Sequence, residues 1–150
     1  MFAFLLVALL VTLAVAIAGW FRPLPAKQTP PPTYSSQQIA DAKTAICAAY
    51  QQVRKAGDLA GARSGGSDPM GLLAVATSSR QVFDAGSRYL STKLAEQPAT
   101  PPDLAAAIQK LANIYQQLAI DYLAEAPDSE TNPLIRAGTD AHTTIEGLCK

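Results

Sequence analysis

Histidine is almost missing from this chain of 150 residues, cysteine is scarce, and neither sign of charge is in excess. One His, at position 142, and two Cys, at positions 47 and 149, are too few and too dispersed for a zinc site, whose ligands are four clustered side chains. No metal and no cofactor is expected. Twelve Lys/Arg balance twelve Asp/Glu, so no bulk positive field is available to hold nucleic acid by its phosphates. β-branched residues are sparse after the first segment, and Gly and Pro gather in a few clusters while Ala is abundant. That composition favours helix over sheet, and an all-α fold is expected.

Catalytic constellations are also lacking. His142 has no Ser or Cys near it in a recognisable motif, and Asp140, two residues earlier, points to a different helical face. His142 is therefore expected at the surface or in a capping role. Asp121 and Glu125 stand four apart, but with Asp128 and Glu130 they form an acidic, solvated helix end suited to docking a basic partner rather than to acid–base work. Gly65-Gly66 lacks the Lys and Ser/Thr of a phosphate-cradling loop and is expected to be a flexible loop. The chain is not expected to be an enzyme.

What the chain has in quantity is an apolar beginning. FAFLLVALLVTLAVAIAGWF runs from Phe2 to Phe21 without a charge, enough for roughly 30 Å of helix, the thickness of a bilayer's hydrocarbon core. Residues 1–22 are expected to form a membrane anchor, with Trp20 and Phe21 at the interface and Arg22 among the headgroups. The alternative is a signal peptide cut after Ala16-Ile17-Ala18, but the run is longer than a signal core and has no basic segment before it. Ala8, Thr12, Ala16 and Gly19 share one side of the anchor and would let another helix approach closely. Arg22 and Lys27 after the helix favour a cytoplasmic domain by the positive-inside rule. Cysteine usage and the long proline segment favour the opposite side, so a single pass through the plasma membrane with an extracytoplasmic domain is expected. Residues 23–34, with Pro23, Pro25, Pro30, Pro31 and Pro32, favour polyproline II and read as a semi-rigid stalk of about 30 Å.

Residues 35–150 carry the signals of four helices. Ser35 and Gln38 form a capping box, with Tyr34 placed to staple onto Ile39. The inward stripe of the first helix is Ile39, Ile46, Tyr50 and Val53, and Gly57 to Gly71 hold the first loop. Asp68 caps a second helix that Pro69 opens. Leu73, Ala76, Phe83, Leu90 and Leu94 point inward, and the helix stops near Gln97. Thr100-Pro101-Pro102-Asp103 starts a third, with Leu104, Ile108, Leu111, Tyr115, Leu118 and Tyr122 as the clearest stripe. The fourth is expected to start at Asn132-Pro133, bury Leu134, Ala141, Ile145 and Leu148, and end at Cys149. Short connections between amphipathic helices imply an antiparallel up-down-up-down four-helix bundle.

That topology bears on the cysteines. Cys47 lies about 12 residues into the first helix, roughly 18 Å from its start, and Cys149 ends a descent of about 24 Å along the fourth, within a bundle about 40 Å tall. The two arrive at nearly the same height, so a disulfide is expected; two separately buried thiols are the alternative, the choice resting on the compartment.

Candidate contacts for a partner are Arg80, Asp84 and Arg88, at successive four-residue steps, together with Asp121 and Glu125. A solvated face is the plainer reading of these charges. Tyr50, Phe83, Tyr115 and Tyr122 are core residues by their spacing; they would also line a site for an apolar small molecule if the bundle held a cavity of several hundred Å³.

WFRPLP, the proline run, QQIADAKTAICAAYQQVRKA and the closing EGLCK together resemble single-pass envelope proteins of mycobacteria and related actinobacteria, whose alanine-rich helical domains are bracketed by two cysteines. Accessory subunits of mammalian-cell-entry (MCE) type lipid importers are among them. The resemblance implies a non-catalytic accessory subunit, with membrane lipids and a larger permease-like membrane complex as partners. A membrane-anchored sensor or carrier of an apolar molecule is the second expectation.

Overall fold

The computed structural model describes residues 33–150 and, before them, Thr12 alone. The bundle, Tyr34–Lys150, is a unit of its own. Its first helix, α1 (Ser36–Gly61), begins at the expected capping box: Ser35 Oγ accepts from the Gln38 amide at 3.2 Å, and Gln38 Oε1 accepts from the Ser35 amide at 2.8 Å. Two of the four amides that a helix start leaves unpaired are engaged this way. In α2 (Pro69–Glu96) the Asp68 carboxylate accepts from the Gly71 amide at 2.8 Å, and Pro69 takes the first position, where its missing N–H costs nothing. The remaining helices are α3 (Pro102–Leu123) and α4 (Asp128–Leu148).

Consecutive helices pack on one another in antiparallel pairs. Between α1 and α2, Gln52 meets Tyr89 and Arg63 meets Ser78, so one position falls as the other rises. The same holds between α1 and α4, where Lys43 reaches Lys150, Cys47 bonds to Cys149, and Arg54 pairs with Glu146. The result is a four-helix bundle. Its centre is the α3 stripe, with Ile108 and Leu111 fully buried, packed against Ile46 and Tyr50 of α1, Leu90 of α2, and Ala141 and Ile145 of α4. The cystine is formed, with its Cα atoms 5.7 Å apart, as the rise-per-residue argument requires.

Several expectations are corrected. No helix among the described residues is long and apolar enough to cross a membrane. The expected fold of anchor, stalk and bundle is therefore corrected to a four-helix bundle in which the described chain has no spanning helix, and the expected single-pass placement in the plasma membrane is not supported by the described residues. The residues named for the anchor, Ala8, Ala16, Gly19, Trp20, Phe21 and Arg22, and most of the stalk lie outside the described residues.

Within the bundle, α1 does not stop at Gly57 but runs on to Gly61. The Arg54–Asp58 pair spans the turn that holds Gly57, and Ala60 is buried, so tertiary packing outweighs the low helix propensity of glycine. Helix α4 starts at Asp128 rather than Asn132, leaving Pro133 inside it. The Pro127 carbonyl accepts from the Glu130 and Thr131 amides, and Asp128 and Glu130 complement the positive end of the helix. Thr100 is not the cap of α3; its hydroxyl donates to the Gln97 carbonyl at 2.7 Å and closes the turn before it. Ile39 and Leu73, expected inside, are exposed at the helix ends. Gly65 is no free loop residue: a Cβ there would lie 2.6 Å from the Leu72 amide nitrogen, so its backbone packs directly on the first turn of α2.

Helices α1, α2 and α3 meet at Gly86, which is buried. A Cβ added there would come within 2.9 Å of Val53 Cγ1 and 3.3 Å of Tyr115 Cδ2. Gly86→Ala should lower stability by about 1 to 2 kcal/mol, because overpacking outweighs the roughly 1 kcal/mol that Ala gains over Gly in a helix. Urea unfolding measures it; a stability gain would mean that the helices can separate without cost.

Candidate functional site

Tyr50, Tyr115 and His142 come from α1, α3 and α4 and converge inside the bundle. The two tyrosines lie on the inward stripes, and a buried phenol needs a hydrogen-bond partner. His142, next to the buried Ala141, supplies both of them: Tyr50 Oη lies 2.9 Å from Nδ1 and Tyr115 Oη 3.0 Å from Nε2. His142 is thus half-buried and bridging, which corrects the surface or capping role expected for it. Tyr50 Oη also accepts from Arg54 Nη1 at 3.3 Å and donates to Glu146 Oε1 at 3.3 Å, while Arg54 pairs with Glu146 directly and with Asp58 at 3.3 Å.

The partner count assigns the tautomer. With the His142 proton on Nδ1, it donates to Tyr50 Oη, which then accepts from both His142 and Arg54 and gives its own proton to Glu146. Tyr115 donates to the free Nε2 lone pair. Every group is satisfied, whereas the other tautomer takes the Tyr50 proton away from Glu146 and sets two oxygens against each other.

Beside this network a cleft lies between α1 and α4. The cystine ties them at Cys47 and Cys149, and the polar contacts follow at Tyr50 and Arg54. Beyond these a cavity of about 410 Å³ opens, lined by residues of all four helices. Gly57, Asp58 and Gly61 face it from α1, Val82 and Phe83 from α2, Tyr115 from α3, and Thr139, His142 and Thr143 from α4. Phe83 packs edge-on against Tyr115 at 5.1 Å and stacks on Tyr122 at 5.9 Å between ring centres. Asp58, Gly61, Thr139, Thr143 and Glu146 in the cavity lining are exposed, so this cavity is a cleft open at the bundle surface beside the filled core.

Burial raises the Tyr50 phenol and pushes Tyr115 up to about 12, with the neighbouring Tyr50 adding to the shift. Burial, reinforced by Arg54 and opposed by Glu146 and Asp58, holds His142 below its ordinary value. The unfolded chain accordingly binds the His142 proton more readily than the folded one. That contribution to stability is complete above about pH 6.5 and is lost as pH falls from there through the lower folded value. Urea unfolding from about pH 7.5 to 5.5 should show the loss, and His142→Gln should flatten it in that window; an unchanged profile would contradict the assignment.

The charges singled out from the sequence are divided. Asp84 pairs with Arg88, both exposed. Arg80 and Asp84 line a groove of about 350 Å³ between α2 and α3 with Gln116, Ile120 and Leu123; Arg88 does not border it. Asp121 accepts from Gln117 at 2.7 Å. Glu125 follows the end of α3 with φ of +54°, the left-handed position usually given to glycine, and the Ala126 amide closes the helix on the Asp121 carbonyl at 2.9 Å.

Sequence reading missed the apolar crowding at this end. Of the eight large apolar side chains exposed among the described residues, Leu59, Met70, Leu72, Leu73, Ile120, Leu123 and Ile135 lie where α1 and α3 end and α2 and α4 begin. Thr77 is level with Leu123, the last residue of α3, across the groove, so the first two turns of α2 reach past α3 and carry Met70, Leu72 and Leu73 with no helix to pack on. Their helical spacing alone suggests core; only the offset of the helices reveals them as surface. Comparisons of this chain with protein-family models, with curated proteins and with solved structures find no match.

Proposed function

We propose that this chain is a non-catalytic interaction subunit that docks through the apolar end of its bundle onto a larger protein assembly. The resemblance to actinobacterial envelope proteins makes an MCE-type lipid importer, with its permease-like membrane complex, the first assembly to test. The observation that carries the reading is the gathering of seven exposed large apolar side chains at one end of the bundle. Singly exposed apolar residues are ordinary, but a group of this kind marks an interaction surface. Asp121, Glu125, Asp128 and Glu130 stand at the same end of the bundle, in and around the turn between α3 and α4. Exposed apolar side chains and carboxylates at the same end of the bundle suit a partner surface that offers apolar and basic groups, since complementary charge steers docking. Arg80 and Asp84 in the adjoining groove are the further contacts.

The test uses variants that leave the fold intact. Met70 and Leu123 are 70% and 66% exposed, so Met70→Ser and Leu123→Ser remove docking surface without opening a cavity. Glu125→Gly removes a carboxylate and relieves the left-handed strain. In titrations of the purified full chain against the purified importer complex, binding should weaken by about tenfold for the two Ser variants together, as expected for buried apolar contacts worth about 1.4 kcal/mol or more. No complex, or a complex indifferent to these changes, would remove the proposal.

A further inference from the structure

We infer that the cavity between α1 and α4 is a binding site for a small organic cation, an apolar and preferably aromatic body carrying a protonated amine. The inference does not depend on the docking surface, which uses other residues.

Size comes first. About 410 Å³ lies within the range of sites for small molecules, roughly 300 to 1,000 Å³. The walls are of two kinds. Ala60, Val82 and Phe83 are apolar, the Tyr115 ring joins them, and the backbone at Gly57 and Gly61 carries no side chain to fill the space. Against that wall an aromatic body removes apolar surface from water and meets rings with which edge or stacked contacts form.

Charge decides which polar group the ligand carries. Arg54, Asp58 and Glu146 are the charged side chains lining the cavity. The single guanidinium is already engaged by both carboxylates, through Nε to Asp58 and through Nη1 to Glu146. An entering anion would find the arginine occupied and two carboxylates beside it. An entering ammonium finds one net negative charge, as well as aromatic rings that attract cations. With the Nδ1–H tautomer of His142, the Tyr115 proton is committed to Nε2, which leaves the phenol oxygen with lone pairs to accept an N–H. The site thus offers acceptors and negative charge at its polar side and apolar surface at the other.

Gly57 provides the means to close the cavity without disturbing the bundle. A Cβ there would meet only Val82 Cγ1, at 3.9 Å, an ordinary contact, and a larger residue is a better helix former than glycine. Gly57→Leu should therefore fold and fill the space. Asp58 is exposed and its carboxylate accepts from Arg54, while its backbone carbonyl, which closes α1, is untouched by a side-chain change, so Asp58→Asn alters the charge with little effect on the fold.

The experiment compares three probes of one shape on the full chain: 2-naphthylmethylamine, 2-naphthylmethanol and 2-naphthoate. Titration calorimetry and amide spectra should show the amine binding about tenfold or more tightly than the other two, with the largest shifts at Gly57, Gly61, Thr139 and Thr143. Affinity for the amine should fall about threefold or more in Asp58→Asn, and similarly as salt is raised from about 50 to about 500 mM, while the alcohol changes little. Gly57→Leu should abolish binding of the amine and keep the helical content. Equal affinities for the three probes, no binding of the amine, or amine binding that survives Gly57→Leu would each overturn the inference.

Discussion

Cys149→Ser is expected to cost the bundle about 4 to 5 kcal/mol, because the cystine closes a loop of 102 residues and removes that much conformational freedom from the unfolded chain. This is a large part of the 5 to 15 kcal/mol that roughly bounds the stability of a single domain. The loss should not be uniform. Helix α4 is the last and shortest of the four, and its Thr139, His142 and Thr143 border the cleft that α1 also lines. Amide exchange should accelerate first from Leu134 to Leu148, before the α3 stripe is affected. Urea unfolding gives the total and hydrogen exchange the order. Uniform acceleration across the bundle would show that α4 does not open by itself, and a change under about 1 kcal/mol would show that the cystine closes a loop already held by packing.

Leu111→Ala should cost about 3 to 5 kcal/mol. Leu111 is fully buried at the middle of α3, in the one cluster that joins all four helices, and such sites collapse little when a large side chain is removed. Leu118→Ala, also in that cluster but slightly less buried, should cost no more than Leu111→Ala. A smaller effect at Leu111 than at Leu118, measured by urea unfolding, would mean that the centre is less tightly packed than the burial implies.

These large effects fall on the features that were most legible in the sequence. The α3 stripe was plain because Leu104 through Tyr122 recur at helical steps in a helix covered along its length by two neighbours. Ser35 with Gln38 and Asp68 with Pro69 were plain because caps are local chemistry. The cystine followed from rise per residue once the helices were ordered.

What escaped was set by contacts between distant residues. Ile39 and Leu73 have the right spacing but stand at helix ends with nothing to cover them. Gly57 and Gly61 suggested a stop, yet α1 continues through both and their missing side chains border the cavity instead. His142 stands beside the inward stripe of α4, and its partners are 92 and 27 positions away. One signal was available: two buried tyrosines on separate helices each needed a partner, and the chain has a single histidine with two ring nitrogens. The anchor and stalk, the strongest compositional features of all, fall on residues outside those described.

The docking surface proposed for this chain is the end of the bundle bearing Met70, Leu72, Leu73, Ile120 and Leu123. Hydrogen exchange of the full chain, alone and in the presence of the purified MCE-type importer complex, tests it most directly. Exchange should slow only in the first turns of α2, the last turn of α3 and the turn that leads into α4, with the Cys47–Cys149 end unchanged. Protection at the Cys47–Cys149 end instead, or no protection with the importer complex in large excess over the chain, would overturn the proposal.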